Sequence, residues 1–355
     1  MPASHAYALI LAGGGGTRLW PASRRRRPKQ LLTLGGEESL LRASFRRARA
    51  LFGEERVLIV TAADQAQAIA QELPDLSPDN IVAEPAARNT AAAVGLGAAV
   101  VARRGDPQAV LAILPSDAFI GDEPAFQQVL TTALEAARQA IVTVGIKPTH
   151  PETGFGYLRR GPEVQPGVFE VAAFVEKPDA PTAQRYLEDG SYLWNSGMFF
   201  MTAARMLEES RRHLPPLGQA LDRFVAAPDF AELVAREYPA VPATSIDYGI
   251  MEKTAGIQVV PGDFRWNDVG SWAALGVMRA TDPEGNILSG EVFAANTKGS
   301  ILLSEEGAPF VGVVGVEDLV VVATKDAVVV VRKKDAQEVR QVVEALKRRG
   351  RTDLL

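Results

Sequence analysis

A run of four glycines directly follows the first apolar stretch of the chain, in an arrangement that could bind phosphate. Leu11–Arg18 reads LAGGGGTR. Glycines let the backbone approach a ligand closely and direct successive N–H groups at an anion. The spacing matches neither GxxxxGK[ST] nor GxGxxG, because Arg18 stands where both motifs require glycine. For the glycines alone, a tight turn between a strand and a helix is the alternative.

Two cations after the glycines favour phosphate binding. Arg18 and Lys29 could neutralise several phosphate oxygens in a cleft. Arg24–Arg27 form a run of four, which is more typical of a solvated face. Residues 1–36 contain six Lys and Arg and no acid, which gives this segment a charge of +6. Because the whole chain has a net charge of −5, the remainder carries −11. Such a concentrated cationic segment favours a small polyanion and argues against nucleic acid as the partner.

Two aspartates are candidates for a metal site. Asp117 follows an apolar run in the sequence LPSD, and Asp268 lies in WNDVG. The carboxyl edge of a parallel sheet is where α/β proteins bind ligands, although a helix N-cap is an equally good role for Asp117 alone. Two carboxylates together with nucleotide phosphates would suit Mg²⁺.

Two further segments could bind a phosphorylated sugar. Lys177 lies in Glu176-Lys177-Pro178 at the end of a predicted strand, where it could hold a second phosphate. Trp194-Asn195-Ser196-Gly197 offers an aromatic face and amide hydrogen bonds, which sugar hydroxyls require. A surface lysine beside a turn and an ordinary core segment are the alternatives.

The elements that must position these residues alternate between strands and helices. Apolar runs predict strands over 6–12, 57–61, 109–114 and 140–145, and helical spacing predicts helices over 39–51, 64–73, 90–103 and 126–138. This alternation predicts a right-handed βαβ series and a mostly parallel sheet. Strands at 168–175 and 197–202 and helices at 203–213 and 217–226 follow within a less regular region.

The last part of the chain has a different pattern. Residues 281–286 look like a linker, and short β-branched runs at 311–316, 319–324 and 327–331 precede a predicted helix at 336–348. A β-helix fragment and a plain antiparallel sheet both fit such strands. We therefore predict a catalytic domain over 1–285 and a small β-rich domain over 286–355, whose expected role is stability or assembly.

The composition is that of an ordinary globular protein. The chain has 355 residues, no cysteine and only three histidines, which argues against disulfides, thiolate nucleophiles and zinc sites. The first apolar stretch is too short to span a membrane, and no leader pattern surrounds it. We expect a cytoplasmic protein with no membrane partner.

Taken together, these motifs resemble those of the sugar-phosphate nucleotidyltransferases, and within them the mannose-1-phosphate guanylyltransferases. Eight segments carry the resemblance in family order: LAGGGGTRLWPASRRRRPKQLL (11–32), EPAARNTAAA (84–93), LPSDA (114–118), GIKPTHPETGFGYL (145–158), FVEKP (174–178), WNSGMFF (194–200), IDYGIMEK (246–253) and FRWNDVGSW (264–272). They are spread in this order through almost the whole of the first 285 residues. The resemblance implies a Rossmann-like nucleotidyltransferase domain followed by the β-rich, β-helix-like domain.

The resemblance also implies a reaction and its residues. GTP and α-D-mannose 1-phosphate would give GDP-mannose and pyrophosphate, with Mg²⁺ held by Asp117 and Asp268 and catalytic roles for Arg18, Lys29 and Lys177. Sugar-phosphate binding is implied for Gly154, Glu176, Lys177, Asn195 and Asp247. Nucleotide binding is implied for the glycine loop and the two cations, which are Leu11, Ala12, Gly13, Gly14, Gly15, Gly16, Thr17, Arg18 and Lys29. It is also implied for four residues of later segments, Glu84, Pro85, Asn89 and Asp117.

Two residues depart from the family pattern. Gly15 stands where serine is common, which matters little for a loop that binds through backbone N–H groups, and Ala118 replaces a common histidine. No cupin-like isomerase domain follows, so mannose-6-phosphate isomerase activity is not expected. Transfer to another hexose 1-phosphate or from another NTP is the alternative within the class, and an inactive regulatory subunit is the alternative outside it. The β-rich tail is a candidate contact for a homodimer.

Overall fold

The computed structural model describes residues 5–14 and 16–355. Its strands are β1 (Ala6–Leu11), β2 (Val57–Ala62), β3 (Ile81–Glu84), β4 (Val110–Pro115), β5 (Phe119–Ile120), β6 (Val142–Ile146), β7 (Tyr157–Gln165), β8 (Val168–Val175), β9 (Tyr192–Thr202), β10 (Gln258–Gly262), β11 (Trp266–Asn267), β12 (Ile287–Ser289), β13 (Val292–Ala295), β14 (Ile301–Ser304), β15 (Val311–Val314), β16 (Leu319–Ala323) and β17 (Val328–Arg332). Its helices are α1 (Leu40–Phe52), α2 (Ala66–Glu72), α3 (Asn89–Arg103), α4 (Glu123–Ala136), α5 (Ala180–Asp189), α6 (Ala203–His213), α7 (Pro215–Ala226), α8 (Phe230–Glu237), α9 (Ile246–Gly249), α10 (Leu275–Met278) and α11 (Arg340–Arg348).

The chain forms two compact units that do not follow the order of the sequence. Unit 1 holds the described residues up to Gly13 together with Phe45–Ser116 and Asp122–Arg265, and unit 2 holds Gly14–Ser44, Asp117–Gly121 and Trp266–Leu355. Gly14, Gly16 and the cations that follow them therefore belong with the C-terminal residues. The boundary between residues 285 and 286 stays a prediction, because the compact units divide the chain elsewhere.

Unit 1 is built on a nine-stranded mixed sheet in the order β3-β2-β1-β4-β9-β6-β10-β8-β7. The first four strands in this order are parallel, and β9 runs antiparallel to both of its main neighbours, β4 and β6. The runs predicted as strands from apolarity are β1, β2, β4 and β6, each of which is almost wholly buried. This burial explains their continuous apolar character.

Helix α3 packs directly on this sheet because its residues are small. It contacts β1 and β2 on one side and α6 and α7 on the other. A Cβ atom on Gly97 would overlap the side chain of Leu9 in β1, and one on Gly95 would lie 2.7 Å from Leu221 Cδ1 in α7. Glycine at these positions therefore sets how closely the helix approaches its neighbours.

Unit 2 contains a coil of short parallel strands at its C-terminal end. Strands β12, β14 and β16 pair in parallel, as do β13 and β15, while β17 returns antiparallel to β16. This is the β-helix-like alternative predicted from the sequence. Its buried side chains, such as Ile301 and Val320, share one apolar core with Leu19, Trp20 and Trp272.

No helix among the described residues combines the length and apolarity needed to cross a membrane.

Replacement of Gly97 by alanine tests the close packing of α3. The new methyl group must displace Leu9 within a filled core, so Gly97→Ala should lower the free energy of unfolding by about 1–3 kcal/mol. Thermal melting measures this effect. Gly276→Ala is the matched control, because Gly276 is exposed in helix α10 with no atom within 4 Å of the added methyl. The control should be unchanged or slightly stabilised, and an equal loss in both variants would contradict the packing argument.

Candidate active site

The glycine loop leaves strand β1 at a fixed point. The Ala12 amide donates to Val60 O at 2.7 Å, and the Thr61 hydroxyl donates to Ala12 O at 2.9 Å. Gly13 and Gly14 are exposed, and Gly14 has a φ of 130°, which only glycine adopts readily. Gly15 lies outside the described residues. The loop thus begins as the sequence predicted, with exposed backbone that could approach an anion.

In unit 2, the other end of the loop packs against Lys29. Gly16 has a φ of 52°, and a Cβ at this position would lie 2.5 Å from Lys29 Cβ. Residues Thr17–Leu19 form one turn of 3-10 helix that leaves Arg18 exposed. Among the residues that the structure describes, the Arg18 side chain has no hydrogen bond or ion pair. It is therefore available to an anionic ligand.

Lys29 and the two predicted metal ligands meet within unit 2. The Lys29 ammonium lies 2.8 Å from Asp117 Oδ2 and also donates to the main-chain oxygen of Asp268. Antiparallel pairing of β5 with β11 explains this convergence, because Phe119 pairs with Asn267. The two aspartates therefore flank the paired strands at one end. Lys29 is largely covered, with 11% of its side chain exposed, whereas 39% of the Asp117 side chain is exposed.

The residues present fit a divalent cation that is also bound by substrate. Asp117 and Asp268 supply carboxylate oxygens, the ligand type that Mg²⁺ prefers. No group of three or more His, Cys, Asp or Glu within the described part of the chain gathers to hold a metal by itself. Mg²⁺ usually takes only one or two carboxylates in addition to phosphate oxygens and water, and two aspartates match that number.

A second polar cluster in unit 1 brings together four of the five predicted sugar-phosphate residues. Asn195 Nδ2 donates to Asp247 Oδ1 at 2.9 Å, and Lys177 Nζ donates to Glu176 Oε1 at 2.8 Å. Glu176 Oε2 is buried and accepts no hydrogen bond from the described residues. A buried carboxylate oxygen without a partner is a natural acceptor for a ligand hydroxyl.

The electrostatics of this second cluster reflect burial and crowded acids. Burial raises the pKa of Asp247 to about 6, with the nearby Glu176 carboxylate adding to the effect. The hydrogen bond to Glu176 raises the pKa of Lys177 above its ordinary value. Lys177 remains exposed and has a φ of 48°. Its ammonium is therefore a permanent cation near the Glu176 and Asp247 carboxyl groups.

The fifth predicted sugar-phosphate residue, Gly154, lies on an exposed loop. Its amide donates to Glu152 Oε1 at 2.7 Å. The Tyr157 hydroxyl donates to the Glu152 main-chain oxygen at 2.9 Å, which ties this loop to strand β7. Glu152 is a supporting residue that our sequence reasoning missed, although it lies inside one of the quoted segments.

The predicted base-binding residues occupy different environments. Pro85 and Asn89 are exposed, and Asn89 has a φ of 64° at the start of α3. Glu84 is buried, and its Oε1 accepts a hydrogen bond from the Tyr238 hydroxyl. Burial raises the pKa of Glu84. Tyr238 was missed because nothing in its local sequence indicates a partner 154 residues away.

Comparison with known proteins agrees with this arrangement of motifs. Residues 7–284 match the family model described as Nucleotidyl transferase, which covers more than half of the chain. The chain belongs to this family. Residues 290–346 of this nucleotidyl transferase match the model described as MannoseP isomerase/GMP-like beta-helix domain. Both matches agree with the predicted fold class.

Individual relatives match almost the whole chain. The xanthan biosynthesis protein XanB of Xanthomonas campestris pv. campestris is 43% identical over 99% of this chain and 75% of its own length. A mannose-1-phosphate guanylyltransferase of Escherichia coli is 42% identical over the same shares. A solved structure from Thermus thermophilus, described as a mannose-1-phosphate geranyltransferase, has a TM-score of 0.87 at 40% identity and covers 97% of this chain and 99% of its own.

The raised pKa of Asp247 predicts a stability effect that depends on pH. Between the ordinary pKa of 3.8 and the folded value of about 6, the folded protein retains a proton that the unfolded chain releases. Stability should therefore fall as pH rises through this window, by up to about 2–3 kcal/mol for this group. Asp247→Asn removes the titration, so its Tm relative to the wild type should be higher at pH 7.5 than at pH 4.5. Asp263→Asn, at an exposed aspartate, serves as the control. If the difference in Tm between Asp247→Asn and the wild type does not change with pH, the burial argument is refuted.

Proposed function

We propose that this nucleotidyl transferase transfers GMP from GTP to α-D-mannose 1-phosphate, forming GDP-mannose and pyrophosphate. The observation that carries the proposal is the convergence of Lys29, Asp117 and Asp268 in unit 2, which also holds the exposed Arg18. The second polar cluster, with its unsatisfied Glu176 oxygen and exposed Lys177, supports a phosphorylated sugar as the other substrate. Near full-length similarity to a relative named mannose-1-phosphate guanylyltransferase supports the choice of base and sugar.

The proposed reaction needs no nucleophile from the protein. A phosphate oxygen of the sugar phosphate, already anionic, forms a bond to the α-phosphorus of GTP. The bond from this phosphorus to the oxygen that bridges to the β-phosphorus breaks, and its electron pair leaves with pyrophosphate. The chemical difficulty is bringing two polyanions together and neutralising the charge on the leaving group. Fixed cations are the side chains suited to this task.

The two clusters divide these tasks between them. Arg18 and Lys29 neutralise the triphosphate and the departing pyrophosphate, with guanidinium and ammonium groups matched to phosphate oxygens. Lys177 holds the phosphate of the sugar. Glu176 accepts hydrogen bonds from sugar hydroxyls, and Asn195, whose amide donates to Asp247 in the same cluster, is a second hydroxyl contact. Gly154, on its exposed loop, is the remaining candidate contact.

Base recognition and the metal complete the proposal. Glu84, Pro85 and Asn89 are the candidate guanine contacts, and the Tyr238 hydroxyl fixes the orientation of the Glu84 carboxylate. Asp117 and Asp268 would hold Mg²⁺, which stabilises negative charge on the transferring phosphate when bound. The expected cytoplasmic location and homodimer stay predictions from the sequence.

A matrix of substrates tests the proposed reaction. Pyrophosphate release should be measured with each of four NTPs against mannose, glucose and fucose 1-phosphates, and the nucleotide sugar formed should be identified by mass. We expect GTP with mannose 1-phosphate to give the highest kcat/KM. A mismatched base leaves buried polar groups unpaired, so ATP should be worse by about a hundredfold or more. Preference for another pair would replace the proposed substrates, and absence of turnover with every pair would overturn the assignment as an enzyme.

The two lysines should affect different substrates. Loss of a charged hydrogen bond to phosphate weakens binding by about tenfold or more. Lys177→Ala should therefore raise the KM for mannose 1-phosphate, whereas Lys29→Ala should raise the KM for GTP and, in the reverse direction, for pyrophosphate. Lys298→Ala, at an exposed lysine of the C-terminal coil, is the control. Equal shifts of both KM values in both variants would contradict this division.

A further inference from the structure

Residues near the C-terminus contact the segment that carries the phosphate-binding cations. We call Gly16–Lys29 the cationic segment. The Trp20 indole N–H donates to Leu354 O at 2.8 Å, and the Trp20 main-chain oxygen accepts from the Trp272 indole N–H at 3.0 Å. Both indoles are buried. Trp20 is thus fixed on both sides by residues more than 250 positions away in the sequence.

The four arginines form a tight turn that is anchored to the C-terminal coil, the strands β12 to β17. Arg24 and Arg27 exchange main-chain hydrogen bonds at 2.9 and 3.0 Å. Arg24 Nη2 lies 2.7 Å from Asp326 Oδ1, and Arg27 Nη1 lies 3.0 Å from Glu305 Oε1. The run predicted as a solvated face therefore has specific acidic partners, and only 16% of the Arg24 side chain is exposed.

The acidic partners are themselves held in place. The Thr324 hydroxyl donates to Asp326 Oδ1 at 2.9 Å in the connection between β16 and β17. The Glu305 amide donates to Ala323 O at 3.0 Å directly after β14. The Asp326 carboxylate and the Glu305 main chain are therefore anchored to the parallel coil, which supports the arginine turn.

Contacts within the cationic segment connect this support to the phosphate-binding side chains. The Ser23 hydroxyl donates to Gly16 O at 2.6 Å, and Arg24 Nε donates to Pro21 O at 2.6 Å. Gly16 in turn packs on Lys29, whose ammonium reaches Asp117. A shift of the arginine turn would consequently move the backbone that carries Arg18 and Lys29.

We propose that the C-terminal coil, together with Leu354 and Trp272, positions the phosphate-binding cations. Trp20, Arg24 and Arg27 are then positioning residues that do not touch the substrate. This inference rests on the proposed function for the identity of the anionic ligand, the GTP triphosphate. Arg24 and Arg27 direct their guanidinium groups at carboxylates, which separates their role from that of the exposed Arg18. Positioning of these cations also gives the coil a part in substrate binding, beyond the stability or assembly role expected from the sequence.

A charge exchange between Arg27 and Glu305 distinguishes positioning from direct binding. Arg27→Glu and Glu305→Arg should each raise the Kd for GTP, measured by calorimetry, by about threefold to tenfold, and the double exchange should restore most of the affinity. If Arg27 bound phosphate itself, Glu305→Arg would leave GTP binding intact or strengthen it, and the double variant would stay weak. Either of these results overturns the proposal.

The Asp326→Asn variant provides a second test with little risk to folding. It removes one exposed charge in the coil and should raise the Kd and the KM for GTP by about threefold, with the KM for mannose 1-phosphate within about twofold of the wild type. The Tm should change by no more than about 2 °C. Glu284→Gln is the matched control, because Glu284 is a similarly exposed acid whose ion pair, with Lys298, does not involve the cationic segment.

The outcomes separate this inference from the proposed function. Wild-type protein that binds GTP but forms no GDP-mannose would refute the proposed function, while the Kd values of the variants would still decide the positioning role. Unchanged GTP affinity in Asp326→Asn and Glu305→Arg, or equal loss in Glu284→Gln, would overturn the positioning role even if GDP-mannose forms.

Discussion

A lysine ammonium that is almost covered by protein must be surrounded by oxygen atoms. Lys29 meets this requirement with the Asp117 carboxylate and the Asp268 main-chain oxygen, so three distant segments of the chain meet at one charge. Position 16 requires glycine because a Cβ atom there would overlap the side chain of the same lysine. The rest of unit 2 can be understood as the support for this arrangement, from the β5–β11 pairing to the C-terminal coil.

Much of the fold could be predicted from the sequence because buried parallel strands are continuous apolar runs. Strands β1, β2, β4 and β6 are predicted in this way. Helix α6 is predicted separately, with the bounds that the structure gives it. Strand β7 was missed because most of its residues are exposed and polar. The short strands of the tail fitted both a parallel coil and an antiparallel sheet, because alternation within a strand does not encode the direction of its partner.

Candidate site residues could be predicted where they lie in local motifs. Their contacts could not be predicted where the partner lies far away in the sequence. The sequence predicts the aspartates at 117 and 268 as a pair of metal ligands, but only the pairing of two short strands explains why they share Lys29. The arginine run is predicted to be a solvated face because runs of like charge usually are. Arg25–Arg27 are indeed exposed, but the sequence does not indicate the ion pairs of Arg24 and Arg27. Their partners, Asp326 and Glu305, lie 302 and 278 residues away. The Tyr238 hydroxyl on Glu84 was inaccessible to sequence reasoning for the same reason.

The central claim is that Asp117 and Asp268, assembled around Lys29, serve the chemical step. The most direct measurement is kcat for Asp117→Asn and Asp268→Asn at saturating Mg²⁺, GTP and mannose 1-phosphate, with folding checked by thermal melting and Asp263→Asn as the control. Loss of charge at a site that stabilises the transition state should lower kcat by roughly a hundredfold or more in each variant, while the control keeps wild-type turnover. Near wild-type kcat in either folded variant would contradict the account.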